Sequence, residues 1–166
     1  MAGPGAYPGV AHSGVQTFEL QDFGVPPIAH LYTGAMHGPT PVSIPGGRVV
    51  TTADVIAFTQ RGGGYVLLDV LGSGETLPGA ISAVSAHRAG TFNDAVQGQL
   101  ASLLGQHTQG NRTLPLIFYC QSPRCWMSYN AAMRAINLGY RDVRWYRGGI
   151  DAWKRAGLST QAGYAR

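Results

Sequence analysis

Short apolar runs alternate with helical patterns from about residue 46 onward, and this alternation constrains the fold more than any other feature of the sequence. The runs typical of strands lie at residues 48–50, 65–70, 80–84, 115–119 and 143–146. The segments typical of helices lie at residues 52–61, 92–104, 127–138 and 149–156. Helices between strands supply the crossovers that parallel pairing needs. The sequence therefore predicts an α/β domain with a central, mostly parallel sheet flanked by helices.

The first 45 residues differ in composition from the rest of the chain. They hold seven of the ten prolines and show no sustained helical or strand period. We expect residues 1–45 to form a Pro/Gly-rich extension, with Met1 to Gly14 disordered and residues 15–45 irregular on the domain surface. Residues 46–160 are then the folded domain.

The charge and hydropathy patterns exclude two classes of partner. The net charge is +4, but only 12% of the residues are charged, with no run of like charges and no basic stripe among aromatic residues. Nucleic acid is therefore not an expected partner. No stretch approaches the roughly 20 apolar residues of a membrane span, so no membrane span is expected. The basic balance suits a small anionic ligand.

Two cysteines flank a loop where α/β domains bind ligands. Cys120 directly follows the strand at 115–119, and Cys125 comes just before the helix at 127–138. Ligands bind beyond the carboxyl ends of parallel strands, and the free N–H groups of a helix start stabilise a thiolate. Arg124 adds a positive charge within the loop. Cys120 is therefore the candidate nucleophile, and the pair permits one disulfide or one dithiol site. The open alternative is two small buried hydrophobic residues.

Three segments resemble the rhodanese-like domain, in the order in which that family has them. They are residues 65–70 with 77–81 (LPGAI), residues 116–132, and residues 139–158, which contain GYxxV followed by GGxxAW. The resemblance implies a rhodanese-like fold and a sulfurtransferase activity, in which Cys120 carries sulfane sulfur as a persulfide and Cys125 can resolve it. It also implies that Asp69 orders nearby loops through hydrogen bonds. The loop residues expected to bind substrate are Gln121, Ser122, Arg124, Trp126, Met127 and Ser128.

A narrower resemblance concerns Cys120, Cys125 and Trp126, which are similar to the cysteine pair and tryptophan of the CXXCW-motif rhodanese-like proteins. Those proteins are associated with PQQ-dependent alcohol catabolism. The resemblance implies a periplasmic location, with a component of a PQQ-dependent dehydrogenase system as partner; a cytoplasmic location is the alternative. The cysteine pair would then be a non-catalytic redox, cofactor-binding or metal-binding module. In the sulfurtransferase interpretation the partner is a small sulfur-containing anion or a thiol acceptor, and no cofactor is expected.

Two departures from the rhodanese pattern bear on substrate and metal binding. Cys125 stands five positions after Cys120, where an ordinary rhodanese loop has an anion-binding arginine or threonine, and Leu71 replaces the arginine that usually follows the strand Asp-Val. We therefore expect thiosulfate to be a poor substrate, because a charge-assisted hydrogen bond is lost. Soft or borderline metal-ligand atoms also occur at His30, Met36 and His37. Their spacing does not demand a metal site, and none is expected.

Overall fold

Helices and strands alternate along residues 12–163, the part of the chain that the computed structural model describes. The helices are α1 (His12–Glu19), α2 (Thr52–Gln60), α3 (Ala95–Thr108), α4 (Met127–Asn137) and α5 (Gly149–Arg155), with a 3-10 helix at Val84–His87. The strands are β1 (Arg48–Val49), β2 (Val66–Asp69), β3 (Glu75–Thr76), β4 (Ile81–Ser82), β5 (Leu116–Tyr119), β6 (Val143–Tyr146) and β7 (Gln161–Ala162). Within this range no helix is long and apolar enough to cross a membrane.

The strands form a central parallel sheet, which confirms the predicted fold class. Among the described residues it has five strands in the order β1-β6-β5-β2-β4, and every neighbouring pair is parallel. The register places Leu116 opposite Val66 on one side and opposite Val143 on the other. Strands β2 and β5 are buried at every position, as their continuous apolar runs predict. Strands β3 and β7 pair antiparallel as a separate ribbon.

Alternate side chains of β5 face two separate apolar layers. Leu116 and Phe118 pack in the layer that contains residues of α3 and α4. Ile117 and Tyr119 pack in the opposite layer, with residues of α1, α2 and α5. This follows from strand geometry, because successive side chains point to opposite faces of a sheet and each face needs its own cover. Cys120 continues the alternation and belongs to the layer with α4.

Some local features differ from the expectation. The disordered tail predicted for Met1 to Gly14 lies outside the described residues as far as residue 11, while residues 12–14 belong to α1. Helix α1 extends into the segment predicted to be irregular, because Val15 is buried in the layer with α5 and Phe18 packs against that layer. Helix α3 begins at Ala95 and not at Phe92, because Asp94 caps it by accepting a hydrogen bond from the N–H of Gln97 at 2.8 Å.

Candidate active site

The two cysteines form a disulfide at the carboxyl end of β5. Cys120 follows the last residue of β5, and its Cα lies 6.4 Å from the Cα of Cys125. Both cysteines are only 1% exposed. The single disulfide that the spacing permits is therefore present, and it is covered by surrounding protein.

Two hydrogen-bond donors converge on the sulfur of Cys120. The hydroxyl Oγ of Ser128 lies 3.0 Å from Cys120 Sγ, and the N–H of Ser128 donates to the same sulfur at 3.3 Å. The indole N–H of Trp145 donates to Ser128 Oγ at 2.9 Å, which leaves the serine hydroxyl free to point its own hydrogen at the sulfur. One hydrogen-bond acceptor also lies near this sulfur, because the carbonyl oxygen of Cys125 is 3.4 Å from Cys120 Sγ. After reduction this arrangement favours a thiolate at Cys120, because an anion is stabilised by donors at a helix start.

The first turn of α5 holds the start of the cysteine loop. The N–H of Ile150 donates to the carbonyl oxygen of Cys120 at 3.0 Å, and the N–H of Asp151 donates to that of Gln121 at 2.9 Å. Gly149 has a φ of +65°, and a Cβ at this position would overlap the carbonyl oxygen of Cys120. The second glycine of the GGxxAW pattern is therefore required both for its backbone conformation and for close approach.

Asp69 lies at the end of β2, and its carboxylate bonds to the start of the loop that follows. Its Oδ1 accepts hydrogen bonds from the N–H groups of Leu71 and Gly72, at 2.7 and 3.0 Å. Its Oδ2 accepts the hydroxyl of Tyr119 at 2.9 Å, and burial together with the neighbouring carboxylate raises the pKa of that tyrosine. Asp69 thus fixes the chain after β2 against the end of β5.

A segment of the N-terminal extension crosses the cysteine loop. We call residues 36–40 the strap. His37 forms an antiparallel bridge with Cys125, in which the N–H of Gly38 donates to the carbonyl of Arg124 and the N–H of Trp126 donates to the carbonyl of Met36, both at 2.7 Å. The strap therefore adds a short strand to the outer edge of the loop.

The strap is secured at its far end by Thr40. The N–H of Thr40 donates to the carbonyl oxygen of Pro123 at 3.2 Å, and its hydroxyl donates to the same oxygen at 2.5 Å. Thr40 is fully buried. The strap and the loop are therefore joined along the whole stretch from Pro123 to Trp126.

Of the predicted substrate-binding residues, Ser128 lies at the sulfur of Cys120, whereas Trp126 and Arg124 pack against the N-terminal extension. Ser128 contacts Cys120, as described above. Trp126 does not line an open pocket: it is 2% exposed, stacks on Tyr32 with 3.9 Å between ring centroids, and donates its indole N–H to Pro39. The guanidinium of Arg124 lies over the ring of Phe23, 4.5 Å from its centroid. The charge expected beside the thiol is thus placed on the N-terminal extension.

The other three predicted substrate-binding residues, Met127, Ser122 and Gln121, differ in how exposed they are. Met127 is buried at the start of α4. Ser122 is half-buried and accepts the N–H of Arg124 at 3.1 Å. Gln121 is exposed and borders a cavity of about 260 Å³, whose other lining residues are Leu71, Ser73, Glu75, Ile150, Asp151 and Lys154. Burial raises the pKa of Asp151 in this cavity.

Arg147 is a site residue that the sequence analysis missed. It follows β6 and is 1% exposed, and its guanidinium donates to the carbonyls of Glu19, Gln21 and Thr40 and to the hydroxyl of Thr40, at 2.7–3.0 Å. Burial lowers its pKa to about 10. Its position just after a strand, at the edge where Cys120 lies, was the available signal. Arg147 ties the N-terminal extension to the domain.

Within residues 12–163, no group of three or more histidine, cysteine or carboxylate side chains is arranged to hold a metal ion. Of the candidate soft ligands, His37 meets the loop through its backbone. Met36 contributes its carbonyl to the bridge, and its sulfur lies 4.0 Å from the side-chain nitrogen of Asn130.

The parallel sheet and the cysteine loop between β5 and α4 define a rhodanese-type α/β domain. The family model for the rhodanese-like domain matches residues 53–156, more than half of the chain. The chain belongs to the rhodanese-like domain family. No curated protein is significantly similar to it in sequence.

Solved structures agree with this fold. The thiosulfate sulfurtransferase from Pseudomonas aeruginosa superposes with a TM-score of 0.52 at 19% identity, over 71% of this chain and 21% of that protein. A full-length protein from Lactobacillus plantarum superposes with a TM-score of 0.51 at 18% identity, over 69% of this chain and 87% of that one. The chain thus corresponds to about a fifth of the Pseudomonas enzyme. At these identities the likeness concerns the fold alone.

Proposed function

We propose that the chain is a sulfur carrier in which Cys120 holds sulfane sulfur as a persulfide and Cys125 resolves it. The observation that carries the proposal is the position of Cys120 Sγ, which meets both donors of Ser128 and lies within bonding reach of Cys125. Membership of the rhodanese-like family supports it, as does the structural likeness to a thiosulfate sulfurtransferase.

The chemistry needs a sulfane sulfur donor and, to complete the cycle, either an external thiol acceptor or an external dithiol reductant. The Cys120 thiolate attacks the sulfane sulfur of the donor, the donor's S–S bond breaks, and the leaving group departs with the electron pair. An external thiol acceptor then takes the outer sulfur and returns Cys120 to the thiolate. Alternatively, the Cys125 thiolate attacks Cys120 Sγ, hydrogen sulfide leaves, and the Cys120–Cys125 disulfide forms. A dithiol from outside reduces the disulfide and completes the cycle.

The loop favours donors that do not depend on an arginine for binding. Arg124 is stacked on Phe23, and Cys125 occupies the position of the anion-binding residue. Thiosulfate, a dianion, then lacks a charge-assisted hydrogen bond in this loop. A sulfur-containing anion with lower charge or an organic persulfide is the better candidate donor.

A second candidate function is a redox or ligand-binding module in a periplasmic PQQ-dependent alcohol oxidation system. The observation that favours it is the buried disulfide followed by Trp126, in keeping with the resemblance to the CXXCW-motif proteins. An oxidising periplasm maintains such a bond, whereas a reducing cytoplasm, the alternative location, keeps the thiols free. In this function the pair cycles between dithiol and disulfide, or holds a ligand, without carrying sulfur.

Intact mass spectrometry of the whole chain distinguishes the two functions. We expect the reduced protein, after brief incubation with a small organic persulfide, to gain one sulfur atom and then to lose it as the disulfide forms, two hydrogen atoms lighter than the dithiol. Release of hydrogen sulfide accompanies the second change. A reduced protein that takes up no sulfur from the persulfide and releases no hydrogen sulfide, but passes from dithiol to disulfide when an external disulfide accepts its two electrons, supports the redox module instead.

The hydrogen bonds that Ser128 donates to Cys120 Sγ predict that Ser128 stabilises the Cys120 thiolate. Ser128→Ala in a Cys125→Ser background removes the hydroxyl donor to Cys120, and hydrogen bonds to charged groups contribute about 1.5–3 kcal/mol. We expect about tenfold slower alkylation of Cys120 at mildly acidic pH, with the midpoint of the rate against pH moved upward. Trp145→Phe, which leaves Ser128 in place, should move the midpoint in the same direction by less. Ultraviolet absorbance of the thiolate checks the assignment, and an unchanged midpoint in both variants would contradict it.

A further inference from the structure

The extension that carries the strap is held to the domain by hydrogen bonds and by apolar side chains that are mostly only partly buried. Between residues 21 and 39 only Leu31 is buried, whereas Val25, Ile28, Tyr32 and Met36 are partly buried against the core. The hydroxyl of Tyr129 bonds to the N–H and the carbonyl of Ile28, and the amide of Asn130 bonds to the N–H and the carbonyl of Tyr32. Because most of its apolar side chains are only partly buried, this segment opens at lower free energy than the core does.

The strap lies along the cysteine loop from Pro123 to Trp126, while the side chains of Gln121 and Arg124 are exposed. Behind the loop, Cys120 Sγ contacts Ser128, and the carbonyl of Cys120 contacts α5. In front of it, the strap bonds to the loop from Pro123 to Trp126. With both cysteines 1% exposed, no donor, acceptor or reductant reaches either sulfur while the strap is in place.

The disulfide and the strap are connected through Cys125. The two bridge hydrogen bonds, from Gly38 to Arg124 and from Trp126 to Met36, lie on either side of Cys125. The disulfide fixes Cys125 to Cys120 at the end of β5, so the loop presents a fixed edge for the strap to pair with. Reduction removes that covalent tether, and the edge becomes free to move.

We propose that the strap is a redox-sensitive gate over the cysteine pair. The disulfide holds the gate closed, and reduction favours its opening, which gives partners access to the thiols. Linkage makes the coupling reciprocal, since a change that loosens the strap must also make the disulfide easier to reduce. The gate controls access whichever chemistry the pair performs, so the proposal does not depend on sulfur transfer.

Substitutions at Gly38 test the gate in the full-length protein. Gly38→Pro removes the N–H that donates to Arg124, whereas Gly38→Ala keeps it, and a Cβ at Gly38 meets nothing within 4 Å. The measurement is the rate at which a small external dithiol reduces the disulfide of the folded, oxidised protein, scaled to the rate in denaturant. We expect about tenfold faster reduction in Gly38→Pro, the effect of one lost hydrogen bond on local opening, and a wild-type rate in Gly38→Ala. The disulfide of Gly38→Pro should also be reduced at a lower proportion of reduced to oxidised glutathione in a glutathione buffer.

Hydrogen exchange of the wild-type chain provides the second measurement. The amides of Gly38 and Trp126, which donate the two bridge hydrogen bonds, should exchange faster in the reduced protein than in the oxidised one. Equal exchange in the two states would overturn the gate, even where Gly38→Pro does not fold. Equal rates of disulfide reduction for folded, oxidised wild-type, Gly38→Ala and Gly38→Pro proteins would overturn it as well. Neither result bears on whether Cys120 carries sulfur, which the mass measurement decides.

Discussion

Cys125→Ser is expected to trap one sulfur atom on Cys120 in nearly every molecule. With the resolving thiol gone, the persulfide can leave only to an external acceptor, and no internal disulfide can form. Cys120→Ser should load none, because the sulfur that meets the donors of Ser128 is then absent. The expected sulfur loading is therefore about one atom per chain in Cys125→Ser and background in Cys120→Ser. Intact mass after incubation of each reduced variant with a small organic persulfide, followed by removal of the excess, gives the yield.

The two variants are matched controls for each other, since each replaces one buried sulfur by a hydroxyl and each removes the same disulfide. Any difference in sulfur loading therefore reflects position and not the loss of the bond. Equal loading of the two variants would show that the sulfur attaches without regard to the Ser128 contacts. Loading on Cys125 alone would reverse the proposed roles. Absence of loading in both, with thiols that alkylate normally, would favour the redox or ligand-binding module.

The parts of the fold that the sequence predicts are those governed by local patterns. Residues 65–70 and 115–119 are continuous apolar runs, and they form β2 and β5, which are buried on both faces. The position of Cys120 at the end of β5 follows from the same pattern, because Cys120 directly follows the apolar run at 115–119. The loop-ordering role of Asp69 is instead what the rhodanese resemblance implies, and the structure gives this side chain short-range hydrogen bonds to Leu71 and Gly72.

The parts that the sequence does not predict depend on partners far apart in the chain. Trp126 stacks on Tyr32, and Arg147 bonds to the carbonyls of Glu19 and Gln21. A backbone carbonyl is the same group at every residue, so no side-chain pattern marks it as the partner of a distant arginine. For the same reason, the pairing of the strap with the cysteine loop leaves no trace in local periodicity. The proline content of the extension indicates irregular structure, but it does not say which surface that structure covers.

Gly149→Ala should destabilise the oxidised protein by about 2–5 kcal/mol, a large share of the stability of a small domain. Two effects add. The backbone of Gly149 has a φ of +65°, which costs a non-glycine residue about 1–2 kcal/mol. A Cβ there also overlaps the carbonyl oxygen of Cys120 and the backbone of Gln121, and such overpacking typically costs about 1–3 kcal/mol because backbone must move.

Gly157→Ala separates the two effects. Gly157 follows α5 with a φ of +78°, but a Cβ at this position meets nothing within 4 Å. It should therefore lose only the conformational part, about 1–2 kcal/mol. Urea unfolding of both oxidised variants measures the difference, which is the contribution of close approach between α5 and the cysteine loop. Equal losses would mean that the loop tolerates the added methyl group. A larger loss at Gly149, together with slower re-formation of the disulfide than in Gly157→Ala, would show that the α5 turn positions Cys120 as well as stabilising the fold.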